Sequence, residues 1–223
     1  MHVRAIAPIH LDEMEFARRC ERYDMLAPGG IRITLANLPN ASDVPNQLAT
    51  SDDIAASDSA VAAVLRGLDP GEVDVGLPDC VLDPGISAAG DTEVRVLGIT
   101  RLAAGLLDSL GEPFTAVARN RAIADELDGV ITRYGYSGFN PTRVLDLSFE
   151  AVSDHRLWND ALIGLRENLA GTDIRRVLNG CSAVEVSMSN DIVAVFDPTR
   201  LALDAIRVAL EHGLVGLERR ADG

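Results

Sequence analysis

Short apolar runs alternate with longer amphipathic stretches along the whole chain. Runs rich in Val, Ile and Leu are bounded by turn residues, which predicts strands, and the stretches between them have apolar residues at helical spacing. Helices are predicted over 12–26 and 51–66, and Ser51, Asp52 and Asp53 each offer an N-cap for the second. In the first half the predicted strands are VRAIAPIH (3–10), IRITLANL (31–38), VDVGL (73–77) and VRVLGI (94–99).

The second half repeats this plan. Thr100 and Asn120 are each expected to cap a helix. The segment GFNPT is expected to be a turn that precedes a strand. The predicted helices cover 100–110, 120–134, 156–170 and 198–212. The predicted strands are PFTAVA (113–118), RVLDLSF (143–149), IRRVLNG (174–180) and DIVAVFD (191–197).

This order of elements indicates an α/β protein. Strands that alternate with helices form parallel sheets with right-handed crossover connections. The chain has 223 residues, enough for one sizeable domain or two small lobes that share a core. Ligands of open parallel sheets bind beyond the carboxyl ends of the strands, so that residues at those ends are the candidates for function.

Composition and charge exclude several function classes. The net charge of −14 and the absence of a basic segment argue against nucleic acid and against an anionic membrane surface as partners. An anionic small molecule stays possible, because one or two arginines can hold a carboxylate inside an acidic protein. No targeting segment or long apolar run is visible, and three cysteines do not form a disulfide framework. A cytoplasmic protein with reduced thiols is expected.

Two cysteines lie at matching places in the two halves. Cys80 ends the run VDVGLPDC and Cys181 ends the run IRRVLNGC, each just after a predicted strand. Unpaired backbone N–H groups at such a position lower the pKa of a thiol. One thiol from each half, facing one cleft, can remove a proton from one face of a carbon and return one to the other. A cysteine at a strand end can equally be a small buried hydrophobic residue, and Cys20 is expected to be a bystander.

Other polar residues follow predicted strands. His10 is either solvated or a cleft residue that holds a substrate carbonyl or carboxylate. Arg119 and Asn120 occupy the equivalent place in the second half, where each either contacts substrate or has a surface role (Arg119) or a capping role (Asn120). No metal site is expected, because the four histidines are scattered along the chain and do not have the spacing of metal ligands. They are His2, His10, His155 and His212.

Four segments carry a resemblance to a known family. DCVLDPGISAAG has the Cys, two-residue gap, Asp-Pro-Gly and small-residue helix of a first cysteine motif, and VLNGCSAVEV has the Gly-Cys of a second. FTAVARNRAIADELDGVITRYG resembles the segment between them, and VAVFDPTRLALDAIRVAL resembles a closing strand and helix. Together they resemble the aspartate/glutamate/hydantoin racemase superfamily, in particular its hydantoin and allantoin racemase branch, over most of the chain.

The resemblance implies an architecture. Two flavodoxin-like lobes with parallel sheets are expected, related by pseudo-two-fold symmetry, with the active site in the cleft between them. Residues 1–98 and 199–223 are expected to form the first lobe, and residues 99–198 the second. The resemblance also implies a homo-oligomer.

The resemblance further implies a chemistry. It is cofactor-independent racemisation or epimerisation of a hydantoin-like or amino-acid-derived small molecule, with Cys80 and Cys181 as the acid/base pair. Proton removal next to a carbonyl builds charge on its oxygen, and the amides of Val81 and Ser182 are the expected donors to it. No metal or other cofactor is needed.

The chain also departs from the family pattern. APIHLDE stands where hydantoin-type members usually have Asn-Pro-Asn, VARNRAI stands where threonines often bind substrate, and Ser182 and Ala183 replace a Thr-His pair. Glutamate and aspartate are therefore not the expected substrates.

Two further classes of function stay open. One is an isomerase, lyase, decarboxylase or ring-opening enzyme on the same scaffold, for example for maleate-type cis–trans isomerisation. The other is a non-catalytic small-molecule binding protein.

Overall fold

Two parallel sheets form the framework of the protein. The computed structural model describes residues 1–186 and 193–214. The first sheet has the order β2-β1-β3-β4, with strands β1 (His2–Ile6), β2 (Arg32–Ala36), β3 (Val75–Pro78) and β4 (Arg95–Val96). The second has the order β6-β5-β7-β8, with strands β5 (Phe114–Ala118), β6 (Phe139–Val144), β7 (Arg176–Asn179) and β8 (Ala194–Phe196). All these strand pairings are parallel, so that the predicted α/β class is confirmed.

Helices connect and cover the strands. Among the described residues they are α1 (Glu13–Leu26), α2 (Ser51–Arg66), α3 (Ile99–Ser109), α4 (Arg121–Tyr134), α5 (His155–Leu169) and α6 (Pro198–Glu211). Short 3₁₀ segments cover Ile86–Asp91 and Phe149–Val152. None of the helices in this part of the chain has the length and apolar character that a membrane span requires.

The two sheets have the same strand order. In each, the second strand along the chain lies at one edge, followed by the first, the third and the fourth. Strands β3 and β7 are therefore equivalent, and so are their carboxyl ends. The two-lobe architecture that the resemblance implies is present in the structure.

One buried cluster joins the two halves. It contains Leu77 of β3, Leu107 of α3, Leu178 of β7 and Leu203 of α6, each no more than 2% exposed. Burial of such a side chain contributes about 1.5–3 kcal/mol to the free energy of unfolding. Helices α3 and α6 also pack against each other. The division of the chain at 98/99 and 198/199 stays a prediction.

The start of α2 differs from the expectation by one residue. Its N-cap is Thr50, and Ser51, Asp52 and Asp53 lie in the first turn. The Asp53 carboxylate accepts a hydrogen bond from the Thr50 amide, and the Asp53 amide donates to the Thr50 hydroxyl. This reciprocal pair satisfies two backbone donors, which is why the cap forms at Thr50.

Helix α3 receives its cap from another loop. The prediction that Thr100 caps it is wrong, because Thr100 lies inside the helix and the N-cap is Gly98. The Asp83 carboxylate accepts hydrogen bonds from the amides of Thr100 and Arg101, at 2.9 Å each. A Cβ on residue 98 would overlap that carboxylate, so that glycine is needed for this arrangement.

Strand β6 begins earlier than expected. The prediction that GFNPT is a turn is wrong, because Phe139–Val144 forms the strand. Pro141 is tolerated there since β6 is an edge strand, and its register with β5 shifts between Thr115 and Val117. In the predicted strand 191–197, residues 191–192 lie outside the described residues.

Candidate active site

The two cysteines of the matching loops line one small cavity between the halves. Cys80 follows the end of β3, and Cys181 follows the end of the equivalent strand β7. Cys80 belongs to the buried cluster that joins the halves, whereas Cys181 packs against a second cluster around Trp158. The cavity of about 60 Å³ is lined by both residues. The structure thus brings the two sequence-predicted thiols together.

The Cys181 loop depends on a glycine. A Cβ on Gly180 would overlap the carbonyl oxygen of Val117 on β5, so that only glycine lets β7 end this close to its neighbour. The Asn179 side-chain amide donates to the carbonyl oxygens of Cys181, at 2.9 Å, and Val184, at 3.2 Å. These contacts close the turn that carries the thiol.

Burial raises the pKa of both thiols, so that the expectation of lowered values is wrong. Desolvation brings the pKa of Cys80 to about 12, against the effect of the Leu82 amide, which lies 3.5 Å from the Cys80 Sγ. Desolvation also raises the pKa of Cys181, but the positive charge of Arg19 and backbone hydrogen bonds from residues 183 and 184 oppose it. A thiolate is therefore better supported at Cys181 than at Cys80.

The cation beside Cys181 is Arg19 of α1, which sequence reasoning missed. Its side chain lines the cavity and is 6% exposed. It donates to Glu15, at 2.8 Å, and to Asp79, at 3.1 Å, and the Tyr23 hydroxyl donates to the other Asp79 oxygen at 2.9 Å. Despite desolvation, these carboxylates raise the pKa of Arg19, which keeps it charged.

The same helix holds the Cys181 loop in place. Arg22 pairs with Asp197 at 2.6 Å, and its Nε donates to the carbonyl oxygen of Ser182 at 3.2 Å. Arg18 donates to the carbonyl oxygen of Ala183 at 3.1 Å. Arg19 and Arg22 are three residues apart and share a helix face, which is a signal that the sequence did contain. Their direction toward the cleft depends on tertiary packing.

Val81 and Ser182, the residues after the two cysteines, also line the cavity. Both are buried. The Thr100 hydroxyl donates to the carbonyl oxygen of Val81 at 2.5 Å, and the Ser182 hydroxyl donates to the carbonyl oxygen of Asp79 at 2.9 Å. These hydrogen bonds fix the two backbone segments against each other, with the cavity between them.

Arg119 lines the cavity as well. It is 7% exposed, so that the surface alternative is wrong. Its Nη2 donates to the carbonyl oxygen of Leu48 at 2.7 Å, its Nη1 lies 3.5 Å from the carbonyl oxygen of Leu147, and its Cζ is 5.4 Å from the Phe149 ring centroid. Burial lowers the pKa of Arg119, and a negative charge on Cys181 would raise it.

Asn120 and His10 lie next to the cavity rather than on it. Asn120 caps α4 by accepting from the Ile123 amide at 2.9 Å, which confirms the capping alternative, and it donates to the carbonyl oxygen of Leu48 at 3.1 Å. A His10 ring nitrogen is 2.9 Å from the carbonyl oxygen of Leu38. His10 lines a neighbouring cavity of about 310 Å³ that shares Arg19 with the first.

Several apolar residues complete the cavity, and sequence reasoning did not single them out. They include Ile123, Phe149, Val152 and Trp158. Trp158 is fully buried, and its indole N–H has no hydrogen-bond partner among the described residues. In the same part of the chain, no group of three or more His, Cys, Asp or Glu side chains is placed to hold a metal ion.

Solved structures of other proteins have a similar fold, although their sequences are distant. No family model and no curated protein matches the sequence. The allantoin racemase from Klebsiella pneumoniae is similar at 18% identity and a TM-score of 0.78, over 99% of this chain and 91% of that one. The allantoin racemase from Pseudomonas fluorescens is similar at 16% identity and a TM-score of 0.80, over 99% and 95%.

A more distant likeness extends to the amino-acid racemases. The aspartate racemase of Picrophilus torridus is similar at 16% identity and a TM-score of 0.55, over 93% of this chain and 94% of that one. At such identities the likeness shows the fold. This chain therefore has the fold of allantoin and aspartate racemases, which is the fold that the resemblance of its sequence implies.

Proposed function

We propose that the protein is a cofactor-independent racemase or epimerase in which Cys80 and Cys181 transfer protons at opposite faces of a carbon α to a carbonyl. The observation that carries this proposal is the cavity that the two thiols share, one from each of two equivalent loops. The fold likeness to allantoin racemases supports it. The substrate is a small hydantoin-like or amino-acid-derived molecule.

The mechanism needs one thiolate and one thiol at the same time. Arg19 and the backbone N–H groups after Cys181 favour its ionised form, while desolvation keeps Cys80 protonated. Cys181 then removes the proton from one enantiomer, and Cys80 donates a proton to the opposite face. The reverse reaction starts from the opposite protonation state, in which Cys80 is the base.

The carbonyl oxygen of the substrate becomes negative as the proton leaves. The amides of Val81 and Ser182 stand beside the two thiols and are the proposed donors to this oxygen. Loss of one such donor typically costs about 3 kcal/mol of transition-state stabilisation. The mostly apolar cavity wall limits competing water, which strengthens these hydrogen bonds.

The direct test is hydrogen–deuterium exchange at the α-carbon in D₂O, followed by NMR. Hydantoins, allantoin, amino acids and maleate-like diacids form the panel, and polarimetry follows the chiral members. We expect exchange and racemisation of at least one chiral compound, unchanged in a Cys20→Ser variant. Failure of the folded protein to exchange any α-hydrogen of the panel would contradict the proposal.

A decarboxylase is the second candidate. A single-residue variant of arylmalonate decarboxylase has the same fold, at 16% identity and a TM-score of 0.59. The unequal surroundings of the two cysteines also favour chemistry that needs only one of them. Release of CO₂ from a disubstituted malonate, without racemisation of any chiral compound in the panel, would favour this candidate.

We further propose a cytoplasmic homo-oligomer that has no nucleic-acid or membrane partner. Exposed apolar side chains on and next to α3 and α6, at Leu106, Leu110 and Val208, support self-association. The net charge of −14 disfavours anionic polymers and surfaces. Light scattering is expected to give the mass of a dimer or larger, and a monomeric mass would refute the oligomer. A salt-sensitive shift with random DNA would refute the absence of nucleic-acid binding.

A further inference from the structure

Arg119 brings a positive charge to the cavity without a carboxylate partner. The two other buried arginines nearby each form an ion pair, Arg19 with Asp79 and Arg22 with Asp197. Arg119 is equally buried, yet among the described residues it forms no ion pair within 4.0 Å. The acidic side chain that acts on it electrostatically, Glu150, is exposed. A buried charge without a partner is costly, which points to a ligand that supplies the opposite charge.

The hydrogen bonds of Arg119 leave part of its guanidinium available. They go to two backbone carbonyl oxygens, those of Leu48 and Leu147. A guanidinium carries more N–H donors than these bonds use, arranged in a plane that suits the two oxygens of a carboxylate. The Phe149 ring lies over the guanidinium and restricts its orientation.

Trp158 belongs to the wall of the same cavity and is fully buried. The indole N–H of Trp158 is buried and has no acceptor within the described part of the chain. The indole nitrogen is itself enclosed, so Trp158 serves as a reporter of the cavity and not as a donor to a ligand.

We propose that the substrate is a small monoanion whose carboxylate binds Arg119. The proposal rests on the proposed function for the reaction and adds the substrate class. The apolar wall formed by Ile123 and Val152 fits a short hydrocarbon body. The cavity is small, which suits a short body beside the reacting centre.

The chain itself provides the probe for this binding. Trp158 is its one tryptophan, so that intrinsic fluorescence reports directly on the cavity. Propionate with propionamide, and 2-methylpropionate with 2-methylpropionamide, are pairs of nearly equal shape that differ in charge. We expect the acids to bind about tenfold more tightly than the amides, since a charge-assisted hydrogen bond is stronger than a neutral one.

Substitution at Arg119 then separates charge from shape. Arg119→Gln should remove the preference for the acids, and Arg119→Lys should retain part of it. Arg121→Gln is the matched control, because Arg121 is the first residue of α4, two residues after Arg119, and its side chain is 74% exposed. Equal binding of acid and amide by the unmodified protein, or an unchanged preference in Arg119→Gln, would overturn the proposal. The first comparison needs no variant, so it stands even if Arg119→Gln does not fold.

An alternative is that Arg119 only stabilises the Cys181 thiolate and does not bind substrate, and this alternative predicts different results in the same experiments. In that case Arg119→Gln would slow alkylation of Cys181 by iodoacetamide, while the unmodified protein would not distinguish acid from amide. That outcome would overturn the substrate proposal. Failure of the proposed racemase activity is seen separately, as absence of α-hydrogen exchange in a protein that still prefers the acids.

Discussion

The two cysteine loops have equivalent places in the fold and unlike surroundings. The Cys80 loop is enclosed by apolar residues, and its thiol has the Leu82 amide beside it. The Cys181 loop faces the buried cation Arg19, and two backbone N–H groups oppose its desolvation. Burial acts on both thiols, but Cys181 is the more exposed of the two, so that exposure, charge and hydrogen bonding together separate them.

This comparison explains how a symmetric scaffold can start an asymmetric reaction. Two-base proton transfer needs unequal protonation of two chemically identical groups. A cation on one side supplies the inequality without any difference in residue type. The cation comes from α1, in the half opposite to Cys181, so that the ionisation of one loop depends on the packing of the other half.

The largest expected effect comes from removing either thiol. Cys80→Ser and Cys181→Ser should each lower racemisation by about a thousandfold, because a serine hydroxyl is a far weaker base near neutral pH. Each variant should still exchange the α-hydrogen of one enantiomer with D₂O, since the remaining thiol can return a deuteron to the same face. Chiral chromatography with NMR detection should show opposite preferences in the two variants.

Two outcomes would change this interpretation. Full activity in either variant would make that cysteine structural and move the chemistry to a single thiol. Loss of all exchange in both variants would favour a mechanism with a nucleophile and an acid. The Cys20→Ser variant is the control, because Cys20 lies on α1 outside the cavity wall.

Removal of the cation should make the two thiols more alike. Arg19→Gln/Asp79→Asn removes a cation that lowers the pKa of Cys181 and a carboxylate that raises it by less. The net change should raise the pKa of this thiol and reduce its thiolate fraction by up to about tenfold. The rate of Cys181 alkylation by iodoacetamide near pH 8, followed by mass spectrometry, measures this fraction. Arg19→Gln alone leaves Asp79 buried and unpaired and should cost about 3–5 kcal/mol in the free energy of unfolding.

The same helix offers a matched control. Arg22→Gln/Asp197→Asn removes a buried ion pair of the same kind, but Arg22 contacts the backbone of Ser182. We expect destabilisation with little change in alkylation. Equal slowing in both double variants would assign the effect to the position of the loop instead of the charge of Arg19.

The high pKa of Cys80 should appear in the pH dependence of stability. Burial raises the pKa of the Cys80 thiol to about 12, whereas its ordinary value is 9.0. The unfolded chain therefore loses the proton first, so that this contribution is present below about pH 9 and is lost as pH rises toward the folded pKa. Urea unfolding should show a loss of about 2 kcal/mol between about pH 9 and pH 11 that Cys80→Ala lacks.

The prediction concerns the difference between the free energies of unfolding of the unmodified protein and Cys80→Ala at each pH. Burial also raises the pKa of Tyr23 and Tyr134, and these contribute to both curves. Parallel curves for the unmodified protein and Cys80→Ala would show that the thiol titrates alike in the folded and unfolded states.

The sequence predicted those features of the structure that depend on interactions between residues close together along the chain. The repeated order of strands and helices along the chain and the strand-end positions of Cys80 and Cys181 follow from apolar runs and turn residues. Of the two alternatives for Asn120, the capping one follows from a local contact, because its side chain reaches an amide only three residues away. Thr100 and GFNPT were predicted wrongly, since a distant carboxylate caps α3 and an edge position tolerates Pro141.

The electrostatics of the site depend on packing between distant segments. Arg19 meets Asp79 across 60 residues, and Trp158 reaches the cavity from α5. The pKa values of the two thiols also depend on this packing. The position at a strand end favours ionisation, but burial outweighs it and raises both pKa values. No spacing in the sequence reports how deeply a loop is buried.

The smallest expected effect tests the contact between the two cysteine loops. The Ser182 hydroxyl, after Cys181, donates to the carbonyl oxygen of Asp79, before Cys80, at 2.9 Å. Ser182→Ala should lower the free energy of unfolding by about 1 kcal/mol, the value of one buried hydrogen bond. α-Hydrogen exchange should fall by less than about threefold, because the proposed oxyanion donor is the backbone amide, which alanine retains. Ser59→Ala is the control, since the Ser59 hydroxyl bonds only its own exposed helix. A loss of exchange of about a hundredfold in Ser182→Ala, without a matching loss of stability, would show that the hydroxyl itself contacts the substrate.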